Sequence, residues 1–83
     1  MALQPLTLVG AGQPATVAEI HVPTSSRGRL MEMGLLVGTV VELVRFAPLG
    51  DPVEIKVRGY NLTLRKSEAE QIFVRVNAGA DGS

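Results

Sequence analysis

The sequence contains no cysteine and no tryptophan, and its only aromatic residues are one tyrosine and two phenylalanines. Without cysteine, a disulfide framework, a thiolate nucleophile and a cysteine-based zinc site are all excluded. The absence of cysteine also fits a reducing compartment. With so few aromatic side chains, the core must be built from valine, leucine and isoleucine, which favours a strand-rich domain.

The chain also lacks an excess of charge of either sign and a long apolar run. Eight basic and eight acidic residues give a formal net charge of zero, whereas a dedicated nucleic-acid binder normally carries a basic excess. No apolar run approaches the roughly 20 residues needed to cross a bilayer, and the N-terminus lacks the positive region of a signal peptide. We therefore expect a cytoplasmic protein with no nucleic-acid partner and no direct membrane insertion.

The clearest strand signal is at 53–57, where valine and isoleucine alternate with charged residues. Such alternation is typical of a strand with one buried and one wet face. A tight reversal at 59–61 predicts a return strand that carries Leu62 and Leu64. Further strands are predicted over 15–22, 72–76 and 39–46. The last of these runs is apolar on both sides, which indicates a central strand or a bulge.

Two short helical segments are predicted between the strands. The hydroxyl side chains at 24–26 are suitable caps for a helix of about two to three turns. Gly34 is placed to end that helix, because glycine readily adopts the left-handed conformation found at helix C-termini. Ser67 and Glu70 fit a capping box, and only a single helical turn can follow before the last strand begins.

Three punctuated segments occur in a fixed order, namely RLMEMGL at 29–35, APLGDP at 47–52 and LRKSEA at 64–69. Over about residues 6–76 this arrangement resembles the FeoA family, the small cytosolic partners of the bacterial ferrous-iron transporter FeoB. The same domain resembles the C-terminal module of iron-dependent repressors. The resemblance implies one domain with a small SH3-like β-barrel fold, which agrees with the predicted strands. Residues 77–83 are then expected to be a disordered tail.

Most of the residues that carry the resemblance are of a structural kind. They are Arg29, Leu30, Met33, Gly34, Pro48, Gly50, Asp51, Pro52, Gly59, Leu64, Arg65, Ala69 and Ile72. The glycines provide backbone freedom, as does Gly38 at the start of the strand at 39–46, and the prolines stiffen a loop. The chain departs from the family at Val37, where a proline commonly precedes the following glycine.

Residues suited to catalysis or metal binding are sparse. Glu19 and His21 are two residues apart on a predicted strand and so share a face, which makes them the candidate metal-ligand pair. No third ligand is evident near them in the sequence. The remaining carboxylates mostly alternate with basic residues, which is typical of a solvated surface. We therefore expect no catalytic residue and no cofactor.

Apolar residues also occur where a small barrel should face water. They predict a surface for a protein partner, although residues that merely cover the ends of a barrel would give the same pattern. Phe73, for example, must point outward if its neighbours face the core. The predicted partner surface comprises Leu35, Leu36, Phe46, Pro48, Leu49, Phe73 and, at its polar rim, Arg29.

Three functions remain open at this point. The resemblance implies a non-catalytic interaction module for the membrane-bound, GTP-hydrolysing transporter FeoB. A metal-responsive regulatory domain like that of the repressors is the alternative. A nucleic-acid-binding barrel is disfavoured by the neutral charge and the lone tyrosine, because base stacking needs aromatic platforms and a basic groove. Self-association through an exposed strand edge or an apolar patch is also expected.

Overall fold

The computed structural model describes residues 3–77, which form a single antiparallel sheet with little helix. The strands are β1 (Gln4–Pro5), β2 (Pro14–Ile20), β3 (Val40–Phe46), β4 (Val53–Val57), β5 (Tyr60–Leu64) and β6 (Ile72–Val76). The helices are α1 (Thr24–Glu32) and the single turn α2 (Lys66–Ala69), and a 3₁₀ turn spans Leu6–Leu8. The prediction of a mainly-β fold with one short helix and one helical turn before the last strand is confirmed.

The strands are ordered β1-β6-β2-β3-β4-β5 across the sheet. The last strand β6 lies between β1 and β2, and Ile72 is paired with Ile20. Within residues 3–77 no pairing joins β1 to β5. The predicted barrel is therefore an open sheet, with the short β1 at one edge and β5 at the other.

One face of the sheet carries a core that is built from aliphatic side chains, as the composition predicts. Each strand from β2 to β6 contributes to it, and burial of a side chain of this size stabilises the fold by about 1.5–3 kcal/mol. The prediction that Leu35 lies on the partner surface is wrong, because its side chain is fully buried in this core. The largest fully buried side chains are those of Leu6, Leu30, Leu35, Ile55, Leu64 and Ile72.

A bulge explains why β3 is apolar on both sides. Before the bulge Leu43 pairs with Ile55, and after it Phe46 pairs with Val53. The register shift between Leu43 and Arg45 changes which residues face the core, because side chains otherwise alternate between the two faces. Phe46 is therefore half-buried against the core, and its place on the partner surface stays a prediction.

The β4–β5 hairpin confirms the alternation predicted for 53–57 and shifts the predicted turn. Val57 pairs with Tyr60, so Arg58 and Gly59 form a two-residue turn, one residue earlier than predicted. Their φ angles are 51° and 89°, which is the positive-φ combination of a type I′ hairpin turn. Asn61, which was predicted in the turn, belongs to β5.

Helix α1 begins directly after Pro23, and its first turn uses no side-chain cap. The backbone N–H groups of Ser26 and Arg27 donate to the Pro23 carbonyl at 2.9 and 3.0 Å. The hydroxyl caps predicted at 24–26 therefore do not form, because those residues already lie inside the helix. Strand β2 likewise ends two residues before the predicted limit, at Ile20.

The end of α1 is a Schellman turn centred on Gly34, as the sequence predicts. Gly34 has a φ of 93°, and its N–H donates to the Met31 carbonyl at 3.0 Å. The Leu35 N–H donates to the Leu30 carbonyl at 3.0 Å. This motif commonly brings together the residues at these two positions in a hydrophobic contact, and both leucines are fully buried in the core.

The turn α2 is capped by side chains other than those of the predicted pair, Ser67 and Glu70. The Arg65 backbone N–H donates to Glu68 Oε1 at 3.1 Å, two residues earlier than the predicted Ser67–Glu70 box. The Lys66 N–H donates to Asp51 Oδ1 at 3.1 Å. The loop between β3 and β4 thus caps the start of α2.

An ion pair between the buried Glu68 and the half-exposed Arg29 connects the two helices. Glu68 is only 6% exposed, and the Arg29 guanidinium donates a hydrogen bond to its Oε2. Burial raises the pKa of the Glu68 carboxyl, but the hydrogen bonds from Arg29 and the Arg65 backbone, together with both guanidinium charges, outweigh burial and lower the pKa. Arg29, which was predicted at the rim of the partner surface, therefore joins α1 to α2.

The C-terminal end of the described chain is anchored on β2. The Asn77 N–H donates to the Pro14 carbonyl at 2.9 Å, and its side-chain oxygen accepts from the Thr16 hydroxyl at 2.9 Å. Gln13 also donates to the Asn77 carbonyl at 2.9 Å. The expected disordered tail therefore does not include Asn77, and its remainder, 78–83, lies outside the described residues.

Substitution of Gly34 tests the turn that ends α1. A Cβ at Gly34 would lie 2.8 Å from the Tyr60 hydroxyl oxygen, and the positive φ disfavours any side chain. We expect Gly34→Ala to lower the free energy of unfolding by about 1–3 kcal/mol in urea denaturation. Gly28→Ala in the same helix is the control, because nothing lies within 4 Å of its added Cβ. It should stabilise the fold by about 0.5–1 kcal/mol, and equal effects of the two changes would contradict this view of the turn.

Substitution of Glu68 tests the ion pair between the helices. Glu68→Gln should lower the free energy of unfolding by about 1–3 kcal/mol at pH 7, whereas Glu70→Gln, at an exposed position, should change it by less than about 0.5 kcal/mol. Because the folded-state pKa of Glu68 is lowered, its stabilisation is present above the unfolded-state pKa of about 4.3. It is lost as the pH falls through the folded-state pKa. The Glu68→Gln difference should therefore shrink between pH 7 and pH 3, and a constant difference would count against the pair.

Candidate protein-interaction surface

The residues predicted to bind a partner are distributed over three separate surfaces. Leu36 precedes the start of β3, whereas Pro48 and Leu49 follow its end. A strand of seven residues is about 20 Å long, since each residue advances the chain by about 3.4 Å. Phe73 lies on β6, opposite Glu19 of β2. The structure therefore separates the residues that the sequence groups into one patch.

The first surface is a shallow apolar groove between α1 and the link to β3. It is lined by Ile20, Arg27, Met31, Leu36 and Val37, and is referred to below as the α1–β3 groove. Its volume of about 380 Å³ is near the lower end of the range of about 300–1,000 Å³ that ligand pockets occupy. A groove of this size and lining suits a few apolar side chains of a partner.

The exposure of its apolar side chains distinguishes the α1–β3 groove from the core. Val37 is 65% exposed and Met31 is 49% exposed. At the rim, the Arg27 guanidinium donates to the Ile20 carbonyl at 2.9 Å, which holds the charged group beside the apolar wall. Of the residues that line this groove, only Leu36 belongs to the predicted partner surface. The spacing of Arg27 and Met31, four residues apart on one helix face, is a signal that could have located those two residues.

The second surface is the loop between β3 and β4. Leu49 at its tip is 96% exposed. The loop is closed by two backbone hydrogen bonds, from Ala47 to the Pro52 carbonyl at 2.9 Å and from Gly50 to the Ala47 carbonyl at 2.7 Å. Gly50 in this loop has a positive φ angle, as do Gly34, Gly38 and Gly59 of the predicted structural set. The loop thus presents Leu49 and the neighbouring Pro48, which is also exposed, on a closed turn.

The third surface lies on the outer face of β2 and β6. Phe73 is only half-buried, and its ring centroid lies 4.9 Å from that of His21. His21 Nε2 and Glu19 Oε1 are 2.7 Å apart, so the two side chains are in contact although His21 follows the end of β2. Within residues 3–77 no group of three or more His, Asp or Glu side chains could hold a metal ion. The candidate metal-ligand pair Glu19 and His21 therefore gains no third ligand within residues 3–77.

None of the helices in the described part of the chain is long and apolar enough to span a membrane.

Comparison with known proteins identifies the family to which this chain belongs. The profile of the FeoA domain matches residues 4–76. The solution structure of the FeoA protein from Chlorobium tepidum is 42% identical with a TM-score of 0.86, and the match covers 92% of this chain and 72% of that one.

A second relative is a Fe(2+) transport protein A/Fe(2+) transporter FeoB fusion protein from Porphyromonas gingivalis. It is 32% identical over 71 residues, which are 86% of this chain and 8% of the fusion protein. The chain thus spans less than a tenth of that relative's length.

The fold likeness extends to a manganese-dependent transcriptional repressor in complex with manganese. That structure is 15% identical with a TM-score of 0.83, and the match covers 93% of this chain and 38% of the repressor. At this identity the likeness concerns the fold alone, and it confirms the SH3-like fold expected from the sequence. The match to the family profile over nearly the whole described chain and the identity to a solved FeoA protein establish that this chain belongs to the FeoA domain family.

Proposed function

We propose that this chain is a non-catalytic interaction module that docks onto a FeoB-type ferrous-iron transporter. Membership of the FeoA family associates the chain with ferrous-iron transport. The observation that carries the proposal is the fusion relative, whose name joins an iron transport protein A and a FeoB transporter in one chain. Fusion holds two modules at a millimolar effective concentration, which is useful when the two act together. On this proposal the module acts at the cytoplasmic side of the transporter.

The α1–β3 groove is the surface that we propose for this docking. Met31, Leu36 and Val37 expose apolar area there, and removal of such area from water favours association. A stable interface buries about 1,200–2,000 Å² in total, so the groove would form the centre of a larger contact. Arg27 would lie in the polar rim that surrounds such a centre.

Docking of this kind needs no chemistry on the module itself. A bound partner shifts a conformational equilibrium by as much as its affinity differs between the two states. A module that binds one nucleotide state of a GTP-hydrolysing transporter more tightly would therefore favour that state. This mechanism requires only a well-ordered surface, which the aliphatic core and the Gly34 turn support.

Co-purification with a detergent-solubilised FeoB-type transporter of the same organism tests the proposal, with and without a GTP analogue. We expect the transporter to be retained by this chain and retention to fall at least about tenfold for Val37→Asp, because a charge would have to be desolvated at the centre of the contact. Leu49→Asp is the matched control, since that side chain is 96% exposed at the opposite end of β3. Neither change should alter the thermal stability by more than a few degrees.

Two other outcomes would contradict parts of the proposal. Loss of retention for Leu49→Asp or Phe73→Asp but not for Val37→Asp would place the contact on one of the other two predicted surfaces. Absence of retention in either nucleotide state would overturn the docking function itself. Tight, stoichiometric heat with ferrous ion in calorimetry would then favour the metal-responsive alternative.

A further inference from the structure

Strand β5 is the edge of the sheet that lies opposite β1. All five of its residues pair with β4, from Tyr60 opposite Val57 to Leu64 opposite Val53. Within residues 3–77 no strand pairs with its other side. Three of its side chains, those of Tyr60, Asn61 and Thr63, are exposed. An edge of this kind presents unpaired backbone N–H and C=O groups, which form a template for a further strand.

The two edges of the sheet differ in how they are protected. Proteins usually protect an edge with charges, proline, a bulge or a very short strand. β1 fits this rule, because it has two residues and one of them is Pro5. β5 has five residues, YNLTL, with no charge and no proline, and its pairing with β4 has no register shift. The β5 edge therefore lacks every one of these protective features.

Side-chain hydrogen bonds hold the first two residues of β5 in place. The Tyr60 hydroxyl donates to the Met33 carbonyl at the end of α1. Asn61 Nδ2 donates to Glu54 Oε2 at 2.9 Å. The hydrogen bonds from Arg45 and from Asn61 lower the pKa of Glu54 although its burial raises it, so the carboxylate stays ionised at neutral pH. A strand that is already fixed loses little conformational entropy when another strand pairs with it.

Cationic side chains flank the β5 edge at both ends. Arg58 precedes the strand in the hairpin turn, and Arg65 and Lys66 follow it, all three at exposed positions. None of them belongs to an ion pair found within residues 3–77. The ends of this edge therefore favour carboxylates on whatever pairs with it.

Self-association through an exposed strand edge is expected from the sequence. The same charges oppose it at the β5 edge. A second copy that pairs antiparallel over all five residues of β5, with Leu62 at the centre, would bring Arg58 in the turn of one copy near Lys66 at the start of α2 in the other. Like charges brought close together in this way repel one another. The charge pattern therefore favours a different chain as the partner.

We propose that the β5 edge accepts an extended segment of a partner protein by β-strand addition. The segment would have an uncharged centre of about five residues, matched to the length of β5, with acidic residues at both ends. Backbone hydrogen bonds would provide the affinity, and Arg58, Arg65 and Lys66 would set the preference for acidic ends. The β5 edge shares no residue with the α1–β3 groove and is proposed as a separate interaction site.

Titration of the isotope-labelled chain with two synthetic peptides tests this proposal by NMR. Both peptides contain five alternating valine and threonine residues, one with two glutamates at each end and the other with two lysines. We expect amide shifts and slowed hydrogen exchange to be concentrated in 60–64. The glutamate peptide should bind about tenfold more tightly at low salt, because exposed charge pairs contribute about 0.2–1 kcal/mol each.

Charge variants distinguish the flanking cations from the charge of the chain as a whole. Arg58→Glu with Lys66→Glu should reverse the preference between the two peptides. Arg75→Glu with Arg27→Glu, at two exposed positions outside β5, is the control that changes the net charge by the same amount, and it should leave the preference almost unchanged. Equal affinity for both peptides, or shifts centred outside β5, would overturn the proposal. Concentration-dependent shifts in 60–64 without peptide would also overturn it, in favour of a second copy.

Discussion

The turn at Gly34 determines how α1 packs on the sheet, and both the core and the α1–β3 groove depend on it. Its backbone geometry lets the chain leave the helix so that Leu30 and Leu35 both reach the core. The Tyr60 hydroxyl, bound to the Met33 carbonyl, connects the same turn to the β4–β5 hairpin. A side chain at position 34 would collide with that hydroxyl, so the conformation of the turn and the tyrosine contact both require glycine there.

The groove is a direct consequence of that turn. After the buried Leu35 the chain returns to the surface before β3 begins, and this places Leu36 and Val37 beside Met31. Val37 adds an exposed branched side chain at this point of the link. The groove therefore arises from the way the helix is connected to the sheet, with no additional element.

The core and the exposed surfaces of the described chain use different side chains. The aliphatic core needs no buried polar network, and the buried Glu68 carboxylate is already paired with Arg29. Exposed apolar side chains line the α1–β3 groove, and the uncharged β5 edge lies apart from them. Two separate surfaces, the α1–β3 groove and the β5 edge, could engage different parts of one partner or two partners.

Local sequence patterns predicted the helices and strands well. The features that they missed depend on contacts between residues that are distant along the chain. The limits of β6 and the alternation in β4 follow from side-chain periodicity, which is a property of neighbouring residues. The half-buried position of Phe46 follows from the bulge in β3, and no local signal located that bulge within the strand. The predicted capping box of α2 lies two residues too late, and no local signal indicated the contact of Asp51 with the Lys66 N–H, 15 residues away along the chain.

The predicted partner surface shows the same limit. Leu35 and Leu36 are adjacent and equally apolar, yet one is fully buried and the other is 37% exposed. Only the orientation of the Gly34 turn distinguishes them. The sequence therefore indicated that apolar residues would be exposed near α1, whereas the structure was needed to select which residues they are.

Site-specific photo-crosslinking in cells that produce the FeoB-type transporter tests the central claim most directly. A photo-reactive amino acid would be placed at position 37 in the α1–β3 groove and, in a matched chain, at position 49 in the β3–β4 loop. Our account predicts crosslinks to the transporter from position 37 and few or none from position 49. Crosslinks from position 49 alone, or none from either position with the transporter present, would contradict it.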